Sequence, residues 1–116
     1  MNDLEHRIQK AIVHYLRLRG YLVFAVPNGG ARDSITGRRL KDEGVLSGAS
    51  DLIALKNGEI TFIEVKTPCG RLSETQKIFK DKIEKEGHEY LVWRSLQDAV
   101  DFCEKKAGNS FQNAPN

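Results

Sequence analysis

The chain has 116 residues, a formal charge of +2 and a pI near 8.6. That length allows one domain with a single core and leaves no room for a second recognition domain. The weak positive charge means that any nucleic-acid surface must arise from local clustering of basic residues. No apolar run reaches transmembrane length and no signal-type start is present, so we expect a soluble cytoplasmic protein without membrane contact.

The first half of the chain predicts a helix, a strand and a long connection. Asn2 or Asp3 can cap a helix whose apolar residues recur at helical spacing up to Gly20. Residues 21–26 are rich in β-formers and predict a strand. Residues 28–50 are rich in Gly, Arg, Lys, Asp and Ser, and they form a connection far longer than the about 4–6 residues usual in compact domains. We therefore predict a loop there, either functional or disordered.

A β-hairpin is predicted around Asn57-Gly58, because Asn-Gly between two β-rich runs is the strongest short hairpin signal. Counting back from this turn pairs Asp51 with Glu64 across the two strands. Residues directly opposite each other point to the same face, about 4.5–5.5 Å apart at Cβ. Lys66 shares that face because side chains alternate along a strand. A register slip of one residue would send Asp51 to the other face.

The second half of the chain completes an alternating pattern. Ser73 and Gln76 form a capping-box pattern that opens a helix, and residues 90–93 then predict a strand followed by a last helix. The order is αβββαβα, and both faces of the hairpin are apolar, so we expect an α/β fold with helices on both faces of a central mixed sheet. We assign residues 1–108 to one domain and residues 109–116 to a disordered polar tail.

The paired carboxylates predict a metal-dependent hydrolytic site. Asp51 and Glu64 are hard oxygen ligands suited to Mg²⁺ or Mn²⁺, and the backbone carbonyl of Val65 can complete the protein ligands. Phosphodiester hydrolysis needs such a metal and a cation near the attacking or leaving oxygen, the role we assign to Lys66. The alternative is a solvated strand end in which Glu64 and Lys66 form an ordinary surface pair.

Two further polar residues have both a functional and a structural interpretation. Glu5 borders the apolar stripe of the first helix, so it is either an additional metal ligand or water-holder, or an acid that favours the helix dipole. Gln76 is explained by the capping box alone, although a helix N-terminus beside the active strand would also suit a phosphate.

The long connection predicts a nucleic-acid surface. Its basic residues, together with glycines that let the backbone approach a ligand, are typical of contacts to the phosphate backbone. The alternative is a flexible solvated loop. The residues assigned to nucleic-acid binding are Asn28, Arg32, Arg38, Arg39 and Lys41.

Five short motifs, spread over residues 5–76, carry a family resemblance that extends from about residue 4 to residue 105. They are Glu5, Pro27-Asn28-Gly29-Gly30-Ala31-Arg32, Gly48-Ala49-Ser50-Asp51, Phe62-Ile63-Glu64-Val65-Lys66 and Ser73-Glu74-Thr75-Gln76. In order and spacing they resemble the virus-type replication-repair nuclease (VRR-NUC) family of the PD-(D/E)XK nuclease superfamily. One departure is Ser50, where the superfamily often has Pro.

This resemblance implies the αβββαβ core of restriction-endonuclease-like enzymes and a divalent-metal endonuclease acting on DNA. It implies that Asp51 and Glu64 are metal ligands, that Lys66 is catalytic, and that Glu5 and Gln76 support the site. Small phage-type members of the family look like symmetric dimers that cut four-way (Holliday) junctions, so we expect a homodimer, in a bacterial host cell if the protein is phage-encoded.

Three other functions remain open. One is a nuclease that cuts flaps, nicks or duplex DNA instead of junctions. Another is a catalytically silent nucleic-acid-binding subunit, against which the intact Asp51, Glu64 and Lys66 argue. A small-molecule metallohydrolase would need His ligands or a second metal shell, neither of which the sequence suggests.

Overall fold

The computed structural model describes residues 2–27 and 34–112, with side chains described for residues 2–27 and 37–108. Helices alternate with strands along the chain. The elements are α1 (Asp3–Leu18), β1 (Leu22–Ala25), α2 (Ser34–Asp42), β2 (Leu52–Lys56), β3 (Glu59–Val65), α3 (Glu74–Lys85), β4 (Glu89–Trp93) and α4 (Leu96–Gln112).

The four strands form one mixed sheet in the order β1-β2-β3-β4. The pairs β1–β2 and β2–β3 are antiparallel, whereas β3 and β4 run parallel. A parallel pair needs a long crossover connection, and α3 provides it. The predicted α/β fold with a central mixed sheet is therefore confirmed.

One face of the sheet carries the hydrophobic core, covered by α1 and α4. Alternation along the strands sends one set of apolar side chains to this face, where burial of each large side chain stabilises the fold by roughly 1.5–3 kcal/mol. The buried core cluster consists of Ile12, Leu16, Val23, Leu52, Ala54, Ile63, Val65, Trp93, Ala99 and Cys103.

The opposite face is covered by α3 only over β3 and β4. Phe79 of α3 packs its ring edge-on against Phe62 and Tyr90, at centroid distances of 6.0 Å in both pairs. On β1 the side chains of Leu22 and Phe24 remain 65% and 44% exposed. Among the described residues, a helix therefore covers the second face only over β3 and β4. The expectation of helices on both faces is partly correct.

The predicted long loop is wrong for residues 34–42, which form α2. The helix ends in a Schellman motif, in which Val45 N–H donates to Leu40 O and Gly44 N–H donates to Lys41 O. Gly44 has a φ of +103°, a conformation that glycine adopts without steric cost. The prediction failed because α2 has Gly37 in its interior and no clear apolar stripe, the signal on which helix prediction depends.

The last helix, α4, runs to Gln112, past Gly108, where the polar tail was predicted to begin. A single glycine costs a helix only about 1 kcal/mol, which the neighbouring turns can offset. Residues 113–116 of that tail lie outside the described part of the chain. No helix among the residues that the structure describes is long and apolar enough to cross a membrane.

Candidate active site

The hairpin register that places the carboxylates is the predicted one. Asn57 and Gly58 have φ values of +52° and +79°, as a two-residue turn of type I′ requires. The ladder runs from Lys56 opposite Glu59 back to Leu52 opposite Ile63. One further step, at the N-terminal end of β2, brings Asp51 opposite Glu64.

Asp51 is held in place by the backbone of two neighbouring strands. Its side-chain Oδ2 accepts a hydrogen bond from the N–H of Val65 at 2.8 Å, and its carbonyl oxygen accepts one from the N–H of Val26, also at 2.8 Å. These bonds fix both the main chain and the carboxylate of Asp51. The carboxylate therefore lies at the end of the sheet beside the C-terminal end of β3.

Glu64 is buried, with only 3% of its surface exposed. Burial, the charge of Asp51 and a side-chain hydrogen bond with Asp51 raise the pKa of Glu64 to about 8, and the charge of Glu5 acts in the same direction. The ammonium of Lys66 opposes this change in pKa without cancelling it. Near neutral pH and without a cation, the site therefore favours the protonated form of Glu64.

Two side chains contact the same oxygen of Glu64. Gln76 Nε2 donates a hydrogen bond to Glu64 Oε2 at 3.1 Å, and Lys66 Nζ lies 3.9 Å from that oxygen. The side chain of Lys66 is only 14% exposed, so its ammonium is held at the site instead of extending into solvent. Asp51, Glu64 and Lys66 are thus brought together, as the sequence predicts.

The side chain of Gln76 makes two separate contacts, one in the cap of α3 and one with Glu64. Its Oε1 accepts the N–H of Ser73 at 2.8 Å, while Ser73 Oγ accepts the N–H of Gln76 at 3.2 Å, so the predicted capping box is present. Its Nε2 is left to bind Glu64. The cap of α3 therefore orients the amide that holds the carboxylate, and the two interpretations of Gln76 are compatible.

Glu5 lies near the carboxylate pair but outside it. Asn2 caps α1 by accepting the N–H of Glu5 at 2.8 Å, which places Glu5 in the first turn. Its charge contributes to the raised pKa of Glu64, so the two side chains interact electrostatically. Within residues 2–27 and 37–108, no three His, Cys, Asp or Glu side chains are arranged to hold a metal ion together. A role for Glu5 through an intervening water agrees better with this geometry than direct ligation.

Gly48 belongs to one of the sequence motifs, but sequence reasoning missed what this glycine contributes to the site. Gly48 has a φ of +81°, and a Cβ added there would lie 2.3 Å from the carbonyl oxygen of Thr75 and 2.8 Å from the N atom of Gln76. The segment before Asp51 is thus pressed against the start of α3. Only glycine permits this approach, which joins the two elements that carry Asp51 and Gln76.

Arg94 is the second residue that sequence reasoning missed. One guanidinium nitrogen, Nη1, donates to the carbonyl oxygens of Thr67 at 2.8 Å, Pro68 at 3.4 Å and Gly70 at 2.5 Å. These carbonyls belong to the turn that directly follows Lys66. Arg94 therefore fixes the chain beyond the lysine, an interaction for which the sequence contains no local signal.

The predicted nucleic-acid residues fall into two groups. Arg38, Arg39 and Lys41 are exposed side chains of α2, so they lie on a helix and not on the predicted loop. Three exposed cations on one short helix remain compatible with phosphate contacts. Asn28 and Arg32 lie outside the described residues.

The donor set fits a hard divalent cation. Glu64 Oε1 is buried and has no hydrogen-bond partner among the described residues, although a carboxylate oxygen strongly favours one. Two carboxylates side by side need either a shared proton or a cation between them. Asp51 and Glu64 offer such an ion oxygen ligands of the kind that Mg²⁺ and Mn²⁺ prefer.

Comparison with known proteins agrees with the fold and the motifs. The family model of the VRR-NUC domain matches residues 4–97. One similar solved structure, a VRR_NUC domain, is 26% identical with a TM-score of 0.67, over 89% of this chain and 97% of that chain. Another, a VRR_NUC domain protein, is 16% identical with a TM-score of 0.71, over 90% of this chain and 88% of that chain, and shows the fold alone. A comparison with curated proteins found no match.

The mixed sheet flanked by helices is the restriction-endonuclease-like fold of these solved structures. The chain belongs to the VRR-NUC domain family, whose model covers most of its length. Membership implies a nuclease-type function, and hence a hydrolase, and confirms the resemblance first seen in the motifs.

Proposed function

We propose that this protein is a structure-specific DNA endonuclease that depends on Mg²⁺ or Mn²⁺ and cuts four-way junctions. The observation that carries the proposal is the cluster at one end of the sheet, where buried Glu64 lies beside Asp51, its pKa is raised to about 8, and Lys66 Nζ lies 3.9 Å from Glu64 Oε2. A nuclease needs two kinds of group at its active site: ligands that bind a metal, and a cation that contacts the phosphate or the attacking water.

Each residue then has a separate role. Asp51 and Glu64 would hold the metal together with the backbone carbonyl of Val65. When bound, the metal supplies a Lewis acid that polarises the scissile phosphate and lowers the pKa of the attacking water. Lys66 orients that water or stabilises the charge that develops on the phosphate. Gln76 keeps Glu64 in the orientation that ligation requires, as outer-shell hydrogen bonds to ligands commonly do.

DNA as the substrate is supported by the exposed cations of α2. The side chains of Arg38, Arg39 and Lys41 can bind phosphates of a nucleic acid. Nothing in this set distinguishes one base from another, because phosphate contacts position a nucleic acid without specifying its sequence. We therefore propose that the protein recognises the shape of its DNA substrate and not its base sequence.

Two copies of the chain are part of the proposal. A four-way junction has two-fold symmetry, and one chain of this size offers a single site, so paired nicks across the branch call for a symmetric dimer. Sedimentation equilibrium of the protein, free and with junction, tests this directly. A mass of two chains is expected, and a single chain on the junction would refute the dimer.

The experiment that tests the activity compares an end-labelled four-way junction with a linear duplex of the same arm sequence, side by side, in Mn²⁺, Mg²⁺ and EDTA. We expect paired nicks on the junction alone, in either metal and not in EDTA. Cutting of both substrates would leave a less selective flap or duplex nuclease. Binding to DNA without cutting in any metal would favour the catalytically silent subunit.

A further inference from the structure

The active-site face contains a second buried oxygen that lacks a hydrogen-bond partner. The hydroxyl of Tyr90 is buried, in a residue that is only 4% exposed, and it has no partner among the residues whose side chains are described. Buried polar groups are nearly always hydrogen-bonded, so each exception needs a physical explanation. Glu64 Oε1 is another such exception, and it lies on the neighbouring strand.

The pairing of β3 with β4 places Tyr90 beside Glu64. Tyr90 is opposite Phe62, and Glu64 is opposite Val92, so Tyr90 and Glu64 sit on adjacent strands two positions apart and on the same face. The helix above confirms this arrangement. Gln76 of α3 contacts Glu64, and Phe79, nearly one turn later, packs on the ring of Tyr90.

The electrostatic environment agrees with this placement. Burial and the negative charges of Glu64 and Asp51 raise the pKa of the Tyr90 hydroxyl. A tyrosine hydroxyl is protonated at neutral pH even without this change and can act as a hydrogen-bond donor. An ionised carboxylate has about four acceptor positions. On Glu64 the described residues supply a hydrogen bond from Gln76, one with Asp51, and the ammonium of Lys66 at 3.9 Å.

We infer that Tyr90 is a positioning residue of the active site, whose hydroxyl donates a hydrogen bond to the carboxylate of Glu64, directly or through one buried water. The inference rests on the proposed function, in which Glu64 is ionised and ligates the metal. Tyr90 touches neither metal nor DNA in this arrangement. With Gln76 from the helix side and Tyr90 from the sheet side, the carboxylate is held from two directions.

The test is a comparison of Tyr90→Phe with the wild type, because the substitution removes the hydroxyl and keeps the ring that packs on Phe79. Mn²⁺ binding to the DNA-free protein is measured by calorimetry. Loss of an outer-shell hydrogen bond to a metal ligand typically weakens binding by about 10–100-fold, and we expect a loss near the lower limit. The thermal midpoint should fall by no more than the loss of one hydrogen bond produces, because the ring that packs on Phe79 is kept.

The matched control is Tyr21→Phe. Tyr21 lies 5.0 Å from Lys56 Nζ, beside the hairpin turn, at the end of β2 opposite to Asp51. It should bind Mn²⁺ as the wild type does. If Tyr90→Phe also binds Mn²⁺ with wild-type affinity, Tyr90 is only a core residue and the inference is overturned.

A crystal structure of the wild type separates this inference from the proposed function. We expect the Tyr90 hydroxyl within hydrogen-bonding distance of a Glu64 oxygen, or of one water that also bonds that carboxylate. A hydroxyl bonded elsewhere would overturn the inference whether or not metal binds. Failure of the wild type to bind Mn²⁺ would instead refute the proposed metal site, while the crystal structure would still decide the role of Tyr90.

Discussion

Replacement of Glu64 by Gln should change how the stability of the metal-free protein depends on pH. The folded protein raises the pKa of Glu64 from an ordinary 4.5 to about 8. The folded state therefore binds a proton more tightly than the unfolded state between these two values. The stability linked to this proton is fully present below pH 4.5 and is lost as the pH rises through 8.

The size of the effect follows from the same pKa values. A change from 4.5 to about 8 sets a ceiling of about 5 kcal/mol, at about 1.4 kcal/mol for each pH unit. Part of this is relieved by water that enters the site and by Lys66, so we expect roughly 2–4 kcal/mol between pH 5 and pH 9. Glu64→Gln is neutral throughout and keeps an oxygen for the amide of Gln76, so it should escape this loss.

The assay is urea unfolding in EDTA at several pH values, with the wild type and Glu64→Gln in parallel. The difference between their free energies of unfolding isolates this one carboxyl, since all other titrating groups are shared. Glu104→Gln, at an exposed position on α4, is the control and should differ from the wild type by the same amount at every pH. Parallel curves for the wild type and Glu64→Gln would refute the raised pKa of Glu64.

Three further perturbations test the supports of the site. Gly48→Ala should lower the free energy of unfolding, measured by urea unfolding, by roughly 2–3 kcal/mol. The reason is that φ at this position is +81° and the new Cβ would lie 2.3 Å from the Thr75 carbonyl oxygen. An unchanged urea midpoint would contradict this close approach. Arg94→Ala should cost roughly 2–3 kcal/mol in the same assay, and Arg94→Lys should not fully restore it, since the lysine ammonium ends one bond short of the position of Nη1. Full rescue by lysine would show that one nitrogen with several N–H donors is sufficient. Replacing Arg38 and Arg39 by Ala should reduce the salt dependence of DNA binding by about one unit of slope for each lost phosphate contact; an unchanged slope would remove α2 from the DNA surface.

The carboxylate pair was predictable because its position depends on local rules. Asn57-Gly58 determines the turn, and the turn determines the register of the two strands. Alternation along each strand then places the side chains of Asp51 and Glu64 on the same face. Asp51 and Glu64 therefore meet as the sequence predicts. Lys66 follows from the same alternation, and so does its proximity to Glu64.

Other parts of the site depend on contacts between distant segments, which no local rule gives. The raised pKa of Glu64 requires burial under α3, and the turn after Lys66 depends on Arg94, more than twenty residues later. The need for glycine at position 48 becomes visible only in the folded structure, where the start of α3 lies against it. Helix α2 escaped prediction because Gly37 in its interior and the lack of an apolar stripe outweighed the helix-stop signal at Gly44.

The central claim is that the carboxylate pair and Lys66 cleave DNA, and one measurement tests it most directly. Cleavage and binding of the same labelled junction are followed in Mn²⁺ for the wild type and Lys66→Ala, with Lys77→Ala, an exposed lysine of α3, as control. We expect Lys66→Ala to bind the junction nearly as the wild type does and to lose cutting, while Lys77→Ala does both. Turnover retained by Lys66→Ala would contradict the proposed mechanism.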